Sequence, residues 1–326
     1  MESTEPLAAQ PAPDHKSISF QGKGSEYFGI LIVNFLLTVL TLGIYYPWAK
    51  AAKMKYIYQE TEFEGSRFTF HGTGFEMFKG MIKAVGVLFL LFGIAVSMVL
   101  MGKEYVPFAV FGMYAIIFLL LIPVALVGTL KYRLSRTSWR GIHGGYRGTV
   151  KSMLKVYLAG AVLTLVTLGL YGFWFWMDIY KEIFTNTRLG NIKFSFRGRG
   201  DEYLRMNVMG YILTFATLGI YYFWWKARVH NYFFNSIVIH QDDSEAGFES
   251  AMTGGAMFEL KFVNLLLLVF TLGLAFPWIF IRTVKTYASR LKMVGGIDLD
   301  AIVQTEENYS DATGEGIIDG LDIQLI

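Results

Sequence analysis

The 326 residues contain no cysteine, which excludes disulfides, thiolate metal sites and cysteine nucleophiles and leaves the redox compartment unreadable. Charge is scarce too: 17% of residues are charged against 54% hydrophobic, far from the balance of a soluble globule. The five histidines, His15, His71, His143, His230 and His240, stand apart, without an HExxH pair or comparable ligand spacing, so no metal is assigned. Gly22 and Gly24, like Gly198 and Gly200, lack the third glycine of a dinucleotide fingerprint and any following Gly-Lys-Ser/Thr. They predict tight surface turns that need positive φ, not a phosphate cradle. The acids and glycines of Asp311 to Gly320 miss the calcium-loop register. No Ser/His/Asp grouping or close carboxylate pair stands out, so no catalytic residue or cofactor is assigned and the chain is read as a non-enzyme.

What is present is apolar and clustered. Six stretches contain no Asp, Glu, Lys, Arg or His: residues 27–49, 84–102, 105–130, 156–177, 206–225 and 262–281. A helix of about 20 apolar residues crosses roughly 30 Å of hydrocarbon with its backbone hydrogen bonds satisfied. The expected fold is therefore an all-α polytopic membrane protein with about six transmembrane helices. An outer-membrane barrel is disfavoured, because Phe35 to Leu42 and Phe118 to Val127 do not alternate in polarity. The N-terminal segment has no early apolar core, so the first span is expected to act as an uncleaved signal anchor.

A unit recurs at about 50 residues, the signature of duplicated structure. Phe20-Gln21-Gly22-Lys23-Gly24 returns as Phe70-His71-Gly72-Thr73-Gly74, in part as Tyr146-Arg147-Gly148-Thr149, and as Phe196-Arg197-Gly198-Arg199-Gly200. A second anchor follows: Thr41-Leu42-Gly43, Leu91-Phe92-Gly93, Thr167-Leu168-Gly169, Thr217-Leu218-Gly219 and Thr271-Leu272-Gly273, the last belonging to a degenerate fifth copy that starts at Ser250. Trp48, Trp174, Trp224 and Trp278 stand seven residues past the Thr of four copies, and the second copy lacks one. These tryptophans are expected as interfacial anchors at headgroup depth. Short alternating segments such as Arg67 to Phe70 and Lys193 to Phe196 read as strand-like pieces at the interface. The domains expected are a polar N-terminal tail over 1–19, a repeat-built transmembrane region over 20–297 and an acidic tail over 298–326.

The column seven residues before the repeat Thr is small or amide: Asn34, Ala84, Gly160, Gly210 and Asn264. Asn34, Gly160, Gly210 and Asn264 are expected at helix contacts, where small residues allow close approach. The acid-free segment from Lys131 to Lys155 suggests a cytoplasmic flank whose Arg133, Arg136, Arg140 and Arg147 hold anionic lipid headgroups. No nucleic-acid fold signature accompanies it. Six single crossings divide the 29 basic residues into thirteen and sixteen. The weight near the first span then puts the loops after spans one and three in the cytoplasm and both termini outside.

Through the repeated FxGxG start, the TLGIYYPW stretch at residues 41 to 48 and TLGIYYFWWK at 217 to 226, the chain resembles the YjgN-like family of bacterial inner-membrane proteins from about Phe20 to Ile326. The resemblance implies a multi-pass protein of the bacterial cytoplasmic membrane and carries no catalytic residue or cofactor with it. The functional expectation is an envelope scaffold that organises lipids, anionic ones first, or partner proteins. The alternative is a transporter or channel for an uncharged or anionic solute, because repeats in membranes often frame a central path.

Overall fold

The computed structural model describes residues 15–305, except 101 and 103–105. The expected N-terminal tail up to residue 14 and the acidic tail from residue 306 lie outside the described residues. One order of elements, strand, helix, helix, strand, occurs five times. The first unit is β1 (His15–Phe20), α1 (Gly24–Leu40), α2 (Tyr46–Glu60) and β2 (Thr61–Phe63). The second is β3 (Ser66–Phe70), α3 (Gly74–Val99), α4 (Val106–Ser135) and β4 (Thr137–Trp139). The third is β5 (Ile142–Tyr146), α5 (Val150–Val166), α6 (Gly172–Thr185) and β6 (Thr187–Leu189). The fourth is β7 (Ile192–Phe196), α7 (Gly200–Ala216), α8 (Tyr222–Asn235) and β8 (Ile237–Gln241). The fifth is β9 (Ser244–Ser250), α9 (Gly254–Phe270), α10 (Phe276–Ala288) and β10 (Leu291–Gly295).

The ten strands form one closed antiparallel barrel, in which β1 pairs with both β2 and β10. This overturns the all-α expectation, and with it the rejection of a barrel. The barrel escaped sequence reading because its strands are short, from three to seven residues, so none carries the ten-residue alternation of a membrane-spanning strand. Closure removes every sheet edge, which lets such short strands persist. Two-residue turns join successive units, and Glu64-Gly65 and Arg140-Gly141 have positive φ at both positions, as a type I′ hairpin requires.

The spans are corrected as well. Among the described residues only α3 and α4 are long and apolar enough to cross a membrane. The other four charge-free runs are folded in half at the Thr-Leu-Gly anchor. In the first, α1 ends at Leu40, the Gly43 N–H donates to Thr38 O at 2.8 Å and the Leu42 N–H to Val39 O at 3.1 Å. This is the bonding of a Schellman terminus, with Leu42 in the left-handed position at φ 50°. Thr41 Oγ1 donates to Leu37 O and accepts from the Tyr45 N–H, fixing the return. The same turn recurs at Thr167, Thr217 and Thr271. In the second unit Leu91 replaces the threonine, that side-chain cap is absent, and α3 runs through it to Val99.

Every hairpin rises from the same end of the barrel and returns to it, because each helix pair is inserted between two antiparallel strands. Units are therefore related by rotation, not inversion. The division of basic residues between two sides, and the external termini inferred from it, fall with the six-crossing fold.

Trp139 occupies the barrel core, 1% exposed, with Ile192, Ile239, Ala246 and Met293 around it. Its indole N–H donates to the carbonyls of Phe63 and Ser66. The chain after β10 crosses the far mouth. Ile297 and Ile302 join the core, Gln241 exchanges two 2.8 Å hydrogen bonds with the Asp298 backbone, and Asn191 pairs with Val303. The barrel is thus filled with side chains and strapped across the end opposite the helices.

Candidate functional site

The helices form a ring in which each packs mainly against its hairpin partner and the adjoining helix of the next unit. The tryptophans make these inter-unit joints. Trp48 lies against Gly74, Trp174 against Gly200, Trp224 against Gly254, and Trp278 against Gly24, which closes the circle. A methyl at Gly74 would sit 2.5 Å from Trp48 Cδ1 and 2.8 Å from its Cα, so the glycine is required by close approach. The fifth joint, between α4 and α5, has neither partner: the second unit lacks the tryptophan, and Val150 stands where the other units have glycine. The first motif glycine is explained the same way. The rings of Phe20, Phe70, Tyr146 and Phe196 fold over Gly22, Gly72, Gly148 and Gly198. None of these glycines has positive φ, so the turn explanation is replaced by one of ring packing. Trp224 and Trp278 remain 44% and 43% exposed, so the indoles also face outward.

The small-residue column lies between the arms of the hairpins. Gly160 meets Phe175, Gly210 meets the Trp225 indole, and Asn264 Nδ2 donates to Thr283 Oγ1 at 3.0 Å. Asn34 instead bonds Ile30 O in its own helix.

The hairpin tips carry the least expected feature. Leu42, Leu168, Leu218 and Leu272 have φ near 50°, a conformation in which glycine or asparagine is normal. They are also 92–96% exposed. Leu40, Val166, Phe215 and Phe270 extend the bare apolar surface around them.

Basic side chains begin below the tips. Lys50 and Lys226 lie four residues past the starts of α2 and α8, about 6 Å at 1.5 Å per residue. Lys261 lies ten residues before Thr271, about 15 Å down the other arm of its hairpin. Between α6, α7, α8, α9 and α10 is an open cleft of about 350 Å³. Lys226, Lys261, His230, Tyr203, Tyr222 and Tyr287 are among its walls, and no acid is. Lys226 Nζ sits 4.2 Å from the Trp225 ring. His230 stacks on Tyr287 at 4.6 Å, and its Nε2 is buried without a partner.

The four candidate headgroup arginines do not form one site. Arg136 pairs with Glu76 at 2.6 Å. Arg140, stacked on Trp139, pairs with Asp300 at 2.7 Å at the barrel mouth away from the helices. Arg133 lies in the last turn of α4, and Arg147 lies in the link from β5 to α5.

Two polar constellations were not visible in the sequence, because only strand pairing assembles them. Ser195 Oγ lies 2.7 Å from His240 Nε2, His240 Nδ1 lies 3.2 Å from Glu245, and Arg197 bonds both oxygens of that carboxylate. The order is that of a hydrolase triad. Ser195, however, is in a ladder strand paired with Val238, not at the strained turn or helix terminus that offers free N–H donors to an oxyanion. In the second constellation, His71 Nε2 lies 2.7 Å from Ser138 Oγ, and its ring is 5.0 Å from that of His143. Partial burial, then His143, then Arg136 lower the His71 pKa. Among the described residues no cluster of three or more His, Cys, Asp or Glu could hold a metal.

Residues 15–198, 191–245 and 237–320 match the family described as "Bacterial protein of unknown function (DUF898)". Two relatives, from Salmonella typhimurium (strain LT2) and Escherichia coli O157:H7, each carry the name Inner membrane protein YjgN. The first is 30% identical over 168 residues, covering 48% of this chain and 40% of the relative. The second is 32% identical over 157 residues, covering 48% and 37%. The matched part of this chain thus spans well under half the length of these relatives. No solved structure matches. The three matched segments run through all five units, and the chain belongs to this bacterial family, which includes YjgN-like inner-membrane proteins.

Proposed function

We propose that the protein is a non-enzymatic membrane-seated scaffold of the bacterial inner membrane, which organises anionic lipid, or partners at the lipid surface, around its helical ring. In this reading the four short hairpins dip into one leaflet and return, the α3–α4 hairpin crosses twice, and the barrel stands on the cytoplasmic side. One observation carries it: four leucines hold a left-handed backbone that disfavours them, and all four are bare. A left-handed non-glycine residue costs about 1 kcal/mol, so the apolar side chain is kept for something outside the fold, and hydrocarbon is the medium that rewards it. The depth agrees. Cations begin about 6 to 15 Å below the tips, within the roughly 15 Å half-thickness of a hydrocarbon layer. Long lysine side chains at that level snorkel to headgroups. Basic residues on the face that also holds the barrel favour the cytoplasmic side. The names of the relatives support the inner membrane.

The transporter alternative is disfavoured by the barrel, whose interior is occupied by Trp139 and its neighbours and whose mouth is strapped. The test is reconstitution of the full chain into liposomes with a screen of neutral and anionic solutes. The scaffold reading expects no uptake above protein-free vesicles and enrichment of anionic lipid with the purified protein. Saturable uptake of any solute refutes it.

A further inference from the structure

We propose that the cleft along α8 is a binding site for the phosphate-bearing headgroup of an anionic phospholipid, with Lys226 and Lys261 as the phosphate ligands. This rests on the membrane-seated reading and adds a particular site and ligand class to it.

The argument starts from charge. Lys226 and Lys261 face one cleft whose walls contain no carboxylate. Elsewhere on the ring Arg282 is answered by Glu259 at 3.1 Å and Lys181 by Asp178 at 3.5 Å. Two ammonium groups that share an acid-free cleft repel each other, and an anion between them removes that cost. A phosphate supplies several acceptor oxygens for charge-assisted hydrogen bonds. Lys226 is already oriented by the faces of Trp225 and Tyr222, at 4.2 and 5.6 Å, so less side-chain freedom is lost on binding.

The rest of the wall fits the remainder of the lipid. His230 Nε2, buried and without a partner, is a hydrogen-bonding atom available to a headgroup or glycerol oxygen. Phe233, Phe234, Met257 and Val229 provide an apolar flank, and the cleft lies between hairpins whose bare leucine tips continue the apolar surface outward. Its volume of about 350 Å³ accommodates a headgroup and glycerol but not two full acyl chains, which would run out along the helices into the bilayer. A free phosphate metabolite shares the headgroup chemistry but would leave the apolar flank unused.

The test is native mass spectrometry of the detergent-solubilised full chain, titrated with phosphatidylglycerol, phosphatidylcholine or glycerol phosphate. The proposal expects one tight equivalent of phosphatidylglycerol. Each of Lys226→Gln and Lys261→Gln should weaken it about tenfold, the loss of one charge-assisted hydrogen bond. Lys226→Arg with Lys261→Arg should retain most of it, and Lys181→Gln, outside the cleft, should change nothing. Unchanged phosphatidylglycerol binding in the folded double glutamine variant overturns the cleft assignment while leaving the membrane seat standing. Glycerol phosphate binding as tightly as the lipid overturns the phospholipid in favour of a soluble anion. Equal affinity for phosphatidylcholine overturns the role of charge. The membrane-seated reading itself fails on a different result, failure of the unaltered full chain to float with liposomes.

Discussion

Replacing Gly254 with alanine isolates the tryptophan joint between units. The new methyl would overlap three atoms of the Trp224 indole. Because that side chain is 44% exposed, it can yield by swinging outward, and the cost is the contact it leaves. About half of a roughly 200 Å² indole surface at about 25 cal/mol per Å² amounts to about 2.5 kcal/mol. That falls within the ~1–3 kcal/mol range for overpacked sites. In thermal unfolding of the detergent-solubilised protein, Gly254→Ala should lower the apparent Tm by about 5–10 °C, at roughly 2–4 °C per kcal/mol. Gly86→Ala is the control: nothing lies within 4 Å of the added methyl, and alanine favours the α3 interior. Trp224→Leu also destabilises, but combined with Gly254→Ala the loss should fall about 1–2 kcal/mol short of the sum, because the first change has removed the obstacle to the second. Equal melting of the two alanine variants, or strict additivity in the cycle, would refute the joint.

Three further outcomes are expected. Aspartate at Leu42, Leu168, Leu218 and Leu272 relieves the left-handed backbone but costs about 3 kcal/mol of insertion at each tip; the variant should hold its detergent Tm yet float poorly with liposomes, and normal flotation would count against insertion. Because its folded pKa is lowered, neutral His71 contributes stability that is complete above the unfolded value near 6.5 and lost as pH falls toward the folded value; His71→Gln should flatten the fall of Tm between about pH 7 and pH 5, whereas a parallel shift at all pH values would sink this assignment. Trp139→Ala should cost about 3–5 kcal/mol and loosen the strap, seen as faster proteolysis near Gln304; an unchanged melt would mean the barrel core is not the stabilising centre.

The sequence disclosed the units but not their geometry. The Thr-Leu-Gly anchors were legible as span ends, yet glycine at a helix terminus usually takes the left-handed position itself, and here leucine holds it one residue earlier. The charge-free run continues past the turn into Trp48 or Trp225, so hydropathy merged two short helices into one apparent span. The tryptophan and glycine columns were both visible, but each lies in a different unit from its partner, and spacing within one unit cannot pair them. Only the shared exception, the missing tryptophan of the second unit and Val150 in the third, links the two columns in the sequence. Strands such as Thr61–Phe63 and Thr187–Leu189 are too short for an alternation pattern. The cleft was hidden for a related reason: Lys226 and Lys261 stand on separate hairpins, and only the packing of α8 on α9 brings them together.

The central claim is that the barrel and every hairpin base share one side of the membrane while the short tips stop inside it. The absence of native cysteine permits a direct measurement with single-cysteine variants Ser17→Cys in β1, Asp243→Cys in the β8–β9 turn and Leu168→Cys at a tip. Each is treated with a membrane-impermeant maleimide in intact cells and in inverted membrane vesicles, with detergent-denatured protein as the labelling control. The account predicts that positions 17 and 243 are protected in cells and labelled in inverted vesicles, and that position 168 reacts in neither until the membrane is dissolved. Labelling of 17 and 243 from opposite sides, or of 168 from the outer side of intact cells, would contradict it.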